Sequence, residues 1–294
     1  MPASRTARRA LSVVVIAMLG VVVGTLSVMA LTNSGSAPTA SSPPPSMSVM
    51  PEPSATATPA VTTPPPAAPV ARSEERFLSY SGTNGWRAIA GSCGGEPPLL
   101  QRVDGEGTWI DVQPREYALR QIASLDAHRD GAELIGGVDV DCDAASLRTF
   151  SAGDAWISYE GALSRSRYVD LADPARVHPG DDVAAAPCPD ATGLRAVGDV
   201  VALICDGQAW QQNETAWTAL PTKNVKALAI DDGDLVLGHV SDNCAGLTIS
   251  RVSADSVTVV GCAETAETDE PVALAMSSDG VAVWTGDRIV VVSD

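Results

Sequence analysis

The sequence predicts an all-β domain of repeated four-stranded units, held behind one apolar segment and a proline-rich linker. Three observations predict it. A 21-residue uncharged run, Leu11 to Leu31, precedes a long Pro/Ala/Ser/Thr tract. After that tract, short apolar runs recur, punctuated by Asp-Gly, Gly-Asp and Ser-Asp-Gly turns, with few helix-like stretches. An eight-residue pattern ending in tryptophan then returns at intervals of 40 to 61 residues. A repeated four-stranded unit of about 40–50 residues is the sequence signature of a β-propeller blade.

Residues 1–10 carry Arg5, Arg8 and Arg9 and no acid. The uncharged run that follows (11–31) is long enough to cross a hydrocarbon core of about 30 Å as a helix. The preceding arginines place the N-terminus in the cytoplasm and the rest outside, as a single-pass signal anchor. The alternative is secretion after cleavage at Val28-Met29-Ala30, although the run exceeds the usual signal-peptide core. Residues 32–75 read as a disordered linker: 34–70 hold only one charge, Glu52, and too little apolar area to offset their ordering entropy. Their prolines favour extended conformations, suited to a stalk. Only two lysines occur, Lys223 and Lys226, a bias of high-GC bacterial genomes.

Charge is concentrated in the remainder. Residues 71–294 hold 16 of the 19 basic and 35 of the 36 acidic residues, a net charge of −19. That balance disfavours nucleic acid and anionic lipid surfaces as partners of the domain.

Within 76–294, the strand–turn–strand units Ala227–Gly238 and Ala273–Trp284 resemble each other, with Gly233 and Gly280 at turn positions that favour positive φ. Weaker copies lie around Trp86–Ser92, Ile122–Gly136 and Gly193–Ile204. The stretch Arg115–Ala127 only loosely fits a helical period and reads as turn and strand. Five units fit the available length, with six blades as the alternative and a β-sandwich as runner-up. The eight-residue pattern follows the strand pairs: Arg102–Trp109, then Thr149–Trp156, more faintly Trp210–Trp217, and a trace at Ser250–Val257.

This pattern resembles the Asp box of BNR/sialidase-like propellers, Ser-x-Asp-x-Gly-x-Thr-Trp. Asp104, Thr108 and Trp109 match it, as do Thr149, Gly153 and Trp156, with Ser151 at the Asp position and Trp217 alone kept in the third copy. Arg102 replaces the first Ser. The resemblance implies a hairpin turn between the outer two strands of each blade, closed by the Asp and anchored by the Trp. It extends to the non-hydrolytic propellers similar to photosystem II assembly factors. It does not imply sialidase chemistry: the Arg-Ile-Pro motif that begins the carboxylate-gripping arginine cluster of that family is absent, and none of the domain's four tyrosines stands out as nucleophile.

Six cysteines lie beyond the apolar run: Cys93, Cys142, Cys188, Cys205, Cys244 and Cys262. An even count on the oxidising side of a membrane favours disulfides, and six cysteines allow 15 connectivities. Cys93, Cys142, Cys205 and Cys244 fall 12–16 residues before the end of successive patterns. That placement favours Cys93–Cys142 between neighbouring units, with Cys188–Cys205 and Cys244–Cys262 as local staples.

Candidate chemistry is sparse. His128, His178 and His239 show no ligand spacing. Val138–Asp143 alternates acids, so a strand there sets Asp139, Asp141 and Asp143 on one face, a Ca²⁺ candidate if a neighbouring loop helps; the plainer expectation is a solvated face. The acidic stretch Glu264–Glu270 reads as an exposed loop. The function expected is a non-enzymatic module binding an envelope protein or glycan, with a degenerate glycoside hydrolase or a lectin-like propeller as alternatives.

Overall fold

A computed structural model describes residues 71–180, 182–253 and 256–293. The expected cytoplasmic N-terminus, the anchor and the linker up to residue 70 lie outside the described residues; residues 71–75, expected as the end of the disordered linker, instead form a short turn hydrogen-bonded to the first sheet. Among those described, six antiparallel sheets stand around one axis, each built from consecutive strands. Blade 1 is β1 (Arg76–Ser81), β2 (Asn84–Ile89), β3 (Leu99–Val103) and β4 (Trp109–Asp111). Blade 2 is β5 (Gln121–His128), β6 (Gly131–Val138), β7 (Asp143–Thr149) and β8 (Ile157–Ser158). A one-turn helix, α1 (Glu160–Leu163), leads into blade 3: β9 (Arg167–Val169), β10 (Arg176–Pro179) and β11 (Ala184–Ala185). Blade 4 is β12 (Thr192–Val197), β13 (Val200–Cys205), β14 (Gln208–Asn213) and β15 (Ala216–Lys223). Blade 5 is β16 (Val225–Asp231), β17 (Asp234–His239), β18 (Leu247–Ser253) and β19 (Ser256–Ala263). Blade 6 is β20 (Val272–Ser277), β21 (Gly280–Thr285) and β22 (Arg288–Val292).

The molecule is therefore a six-bladed β-propeller, the higher of the two blade counts the sequence allowed. The blade that sequence reading passed over is blade 3. It lies inside the 61-residue interval between Trp156 and Trp217, which spans two blades rather than one. Its strands are two to four residues long, and Pro174, Pro179, Pro187 and Pro189 interrupt any apolar periodicity.

The first strand of each blade lines the axis, and each lies beside the first strand of the next, β20 closing onto β1. The core is accordingly not central. It is divided among six seams, one hydrophobic cluster between each neighbouring pair of blades. Trp86, Leu100, Leu134 and Leu147 fill the seam of blades 1 and 2; Leu247, Ile249, Leu274 and Val283 fill that of blades 5 and 6. Inner strands are thus buried on both faces, which is why stretches such as Val200–Ile204 are continuously apolar rather than alternating. On the outermost strand of blade 4, β15, exposed and half-buried residues interleave.

The hairpins between third and fourth strands are the places where the eight-residue pattern falls. In Asp104–Thr108, the Asp104 carboxylate accepts the amides of Glu106 (2.9 Å) and Thr108 (2.8 Å). In the second copy the Thr149 hydroxyl accepts the Gly153 amide (3.0 Å) and the Ser151 hydroxyl accepts the Ala155 amide (3.0 Å). Gly153 has φ +92°, and a Cβ there would meet Val112 Cβ at 2.6 Å. The buried Trp156 ring donates to Val112 O and stands edge-on to Trp86, with centroids 5.9 Å apart. Trp217 donates to Ala185 O, tying blade 4 to blade 3.

Three disulfides pair Cys93 with Cys142, Cys188 with Cys205, and Cys244 with Cys262. The first joins blades 1 and 2; the third lies within blade 5. Among the described residues, ring closure relies on neither a disulfide nor a strand shared between the first and last blades. Trp284 of blade 6, 2% exposed, lies under the guanidinium of Arg76 (4.8 Å from the ring centroid), and Arg87 lies between Trp284 (5.0 Å) and Trp109 (4.6 Å). Arg76 also donates to Gly286 O (3.0 Å). The acidic loop 264–270 contributes here: Glu270 stands 4.0 Å from Arg76, and Glu267 stands 3.4 Å from Arg288.

Replacing Trp284 by Ala is expected to cost about 3–5 kcal/mol, the usual range for a buried tryptophan. In a domain of this size that lowers Tm by roughly 6–20 °C. Trp217→Ala, at a half-buried position, is expected to cost clearly less; thermal melts followed by near-UV circular dichroism check both.

Candidate functional site

The strands β1, β5, β12, β16 and β20 begin on one face of the disc, called upper here, and end on the lower face. Blade 3 departs from this. Arg72, just ahead of β1, donates to Val169 O (2.9 Å) and Asp170 O (2.5 Å) at the end of β9, while Arg167 at its start donates to Gly198 O in the turn after β12. The inner strand of blade 3 therefore runs opposite to its neighbours and is only three residues long.

The upper mouth is crossed by residues 71–75. Ser73 and Glu75 carbonyls accept the amides of Gly91 and Ala90 in blade 1. The Glu75 carboxylate accepts the Gly193 amide (2.8 Å) of blade 4, on the far side of the axis. Below this strap, Arg195 of β12 reaches across the channel. It donates to its neighbour Leu194 O (2.8 Å) and to Arg76 O (3.5 Å), and lies over Phe77 at 5.3 Å. What is left at the upper mouth is a cavity of about 50 Å³. Burial pushes the Glu75 carboxyl up, against the opposing pull of Arg72 and Arg195 and the Gly193 hydrogen bond.

The larger opening is on the lower side, about 210 Å³, in the space between blades 2 and 4 that the short β9 leaves unfilled. Asp126 and Glu133 enter it from blade 2, Arg195 from blade 4, and Arg165 and Arg167 from the segment leading into β9. Asp126 and Glu133 are register partners on β5 and β6. Asp126 is walled by protein yet open to the water in the cavity. Burial pushes its carboxyl up; Arg195 and His128 pull it down, and Glu133 adds to the rise.

The acidic run 138–143 is solvated, the plainer expectation, and does not form the one-face array of the Ca²⁺ candidate. Residues 139–142 are the turn between β6 and β7, with Asp139 at φ 57° and Cys142 at φ 59°. A turn breaks the period of two on which the one-face alignment of Asp139, Asp141 and Asp143 depended, and the disulfide at Cys142 holds it there. Among the described residues, no group of three or more acidic, His or Cys side chains converges to hold a metal ion. His178 stacks on Tyr168 (4.3 Å, 5°) and bonds Asp170 (2.8 Å), whose carboxyl lies below the usual range despite burial, chiefly through the His178 hydrogen bond. His239 bonds Ser250 Oγ (2.9 Å). Both are structural contacts away from the lower cavity.

Sequence reading missed the residues that line this cavity. The signal was present: Asp126 in Ile122–His128 and Arg195 in Gly193–Val197 are charges inside inner strands, where apolar residues otherwise prevail.

No protein-family model matches the chain, and no curated protein does. Solved structures do. YCF48 bound to a D1 peptide is similar at 17% identity, over 70% of this chain and 72% of that one, with a TM-score of 0.39. A mutant of the Aleuria aurantia lectin in complex with α-methyl-L-fucoside is similar at 11% identity, over 74% and 94%, with a TM-score of 0.41. A mutant of the GH43 protein BlXynB from Bacillus licheniformis is similar at 9% identity, over 71% of this chain and 47% of that one, with a TM-score of 0.29. The likeness is one of fold.

Because Asp126 has a raised carboxyl pKa in the fold, the native state prefers it protonated. Its ionisation subtracts stability as pH rises through that pKa, and the subtraction is absent at lower pH. Asp126→Asn is therefore expected to raise Tm at about pH 7 and to gain progressively less as pH falls toward the ordinary aspartate range of about 4. Paired melts across that range measure the difference.

Proposed function

We propose that this chain is a membrane-tethered, extracytoplasmic binding propeller that holds a segment of an envelope protein or glycan at its lower cavity without transforming it. The observation carrying this reading is the break in the ring at blade 3. A short, reversed inner strand opens a charged cavity on one face, while the strap 71–75 and Arg195 obstruct the other. The three disulfides fit an oxidising compartment. The uncharged run 11–31 supports a tether, and hydrogen-bonded third-to-fourth-strand turns at Asp104 and Ser151 support kinship with Asp-box propellers.

A photo-crosslinking residue at Val197, on the cavity rim, is expected to trap a reproducible envelope component in native membranes. The same residue at Thr218, on the outer strand of blade 4, is expected not to. Equal trapping at both positions, or none at either, contradicts binding at this cavity.

One observation favours a second reading, a glycoside hydrolase. Asp126, with its raised carboxyl, stands beside Glu133 on one face of blade 2, an arrangement of acid and carboxylate that glycoside hydrolysis uses. Glu133 also lies 3.7 Å from Arg148, which occupies it structurally. Turnover of a panel of aryl glycosides that Asp126→Asn reduces by about a hundredfold or more, in the range of a lost general acid, establishes hydrolysis; no turnover above background leaves the binding reading.

A further inference from the structure

The charged groups of the lower cavity are not equivalent. The guanidinium of Arg167 is held by Gly198 O, and that of Arg195 by Leu194 O and Arg76 O. Glu133 lies beside Arg148, and the Ser166 hydroxyl donates to Ala162 O. Two charged side chains remain on the cavity wall with no hydrogen bond or ion pair among the described residues: Asp126 from blade 2 and Arg165 from the segment before β9. We propose that the cavity binds a compact zwitterion, an amino acid or the end of a short peptide, with Asp126 taking its ammonium group and Arg165 its carboxylate. The inference rests on the binding reading above and names the ligand class of that site.

Three physical points carry it. First, one unpaired carboxylate and one unpaired guanidinium in a single confined space select a ligand with both a cationic donor and an anionic acceptor. A neutral sugar can hydrogen-bond both groups through its hydroxyls but neutralises neither charge. A dianion meets Asp126 and Glu133, and a dication meets Arg165, Arg167 and Arg195. Second, charge-assisted hydrogen bonds exceed neutral ones, so both pairings favour charged ligand groups over neutral ones. Third, size fits. A cavity of about 210 Å³ holds roughly seven waters at about 30 Å³ each, the bulk of an amino acid or small dipeptide rather than an oligosaccharide.

The groups facing Asp126 set the pH response. They are His128 on its own strand, Glu133 on β6, Arg195 on β12, and Arg165 and Arg167 from the segment before β9. Since burial raises the Asp126 carboxyl pKa, acidification removes the charge that pairs with ammonium earlier than for an ordinary aspartate. Affinity therefore falls as pH drops.

Isothermal titration of the full chain in mild detergent tests the inference, with dialanine, its N-acetyl derivative and its C-terminal amide as probes. Dialanine is expected to bind, and each cap to weaken binding tenfold or more. Asp126→Asn is expected to erase the discrimination against the acetyl cap alone, and Arg165→Gln the discrimination against the amide alone. Equal affinity for all three probes overturns the inference, as does no binding to a chain whose melts show it folded. If rim crosslinks at Val197 persist while no probe binds, the zwitterion inference fails and the binding reading stands. If both fail, both fall.

Discussion

Closing the ring is the constraint on which the rest of this structure depends. Six sheets bury their apolar faces only against one another, so every blade needs two neighbours. The seam between blades 6 and 1 joins the two ends of the described chain without a shared strand. It is held by Trp284 against Leu78, under the guanidinium groups of Arg76 and Arg87, with Trp109 completing the stack. Cation–π pairs are each worth about 0.5–2 kcal/mol, so the hydrophobic burial of Trp284 is the larger contribution and the arginines fix its geometry. The same Arg76 offers its carbonyl to Arg195 on the opposite side of the axis. Closure and axial packing therefore share a residue.

Blade 3 shows how a ring tolerates one irregular member. Its two faces still bury side chains: Tyr168 packs with Ala123 and Ile135 of blade 2, and Val169 and Val177 pack with Leu194 and Val201 of blade 4. Reversal of β9 requires the chain to reach the lower face after β8, and α1 lies in that connection. Three residues of inner strand cannot span the channel that six to eight span elsewhere, and the unfilled remainder is the lower cavity. Function in this reading follows from an omission in the architecture rather than from an added loop.

Side chains on the outer turns and at the cavity use their polar atoms differently. On the outer hairpins, Asp104 and Ser151 accept backbone amides, as Asp170 does in the turn after β9. At the cavity, Arg167 and Arg195 donate guanidinium N–H groups to backbone carbonyls, while Asp126 has no hydrogen-bond partner among the described residues. Rigid walls around free charged groups are what preorganised recognition requires. The surplus of negative charge over the rest of the domain makes three converging arginines a local exception, set apart by position rather than by number.

By itself the sequence determined the all-β class and the outer-hairpin turns, and it favoured the disulfide pairs without deciding among 15 connectivities. The first two are local properties: Gly233 and Gly280 adopt the positive φ their turns need, and Asp104 closes a turn with amides two and four residues away. The sequence did not determine the number of blades, because blade 3 has neither repeat nor pattern and owes its strands to the two blades that flank it. Nor did it reveal the cavity. Asp126, Arg165 and Arg195 lie up to 69 residues apart and carry no motif; only ring closure brings them to one space. Alternating acids at Asp139, Asp141 and Asp143 mimic a strand, but the hairpin between β6 and β7 bends them out of line and leaves all three exposed, the plainer of the two expectations. Turns are decided by residues a few positions apart, and so are legible in sequence. A propeller's site is decided by which blades the closed ring sets side by side, and that exists only in the tertiary structure.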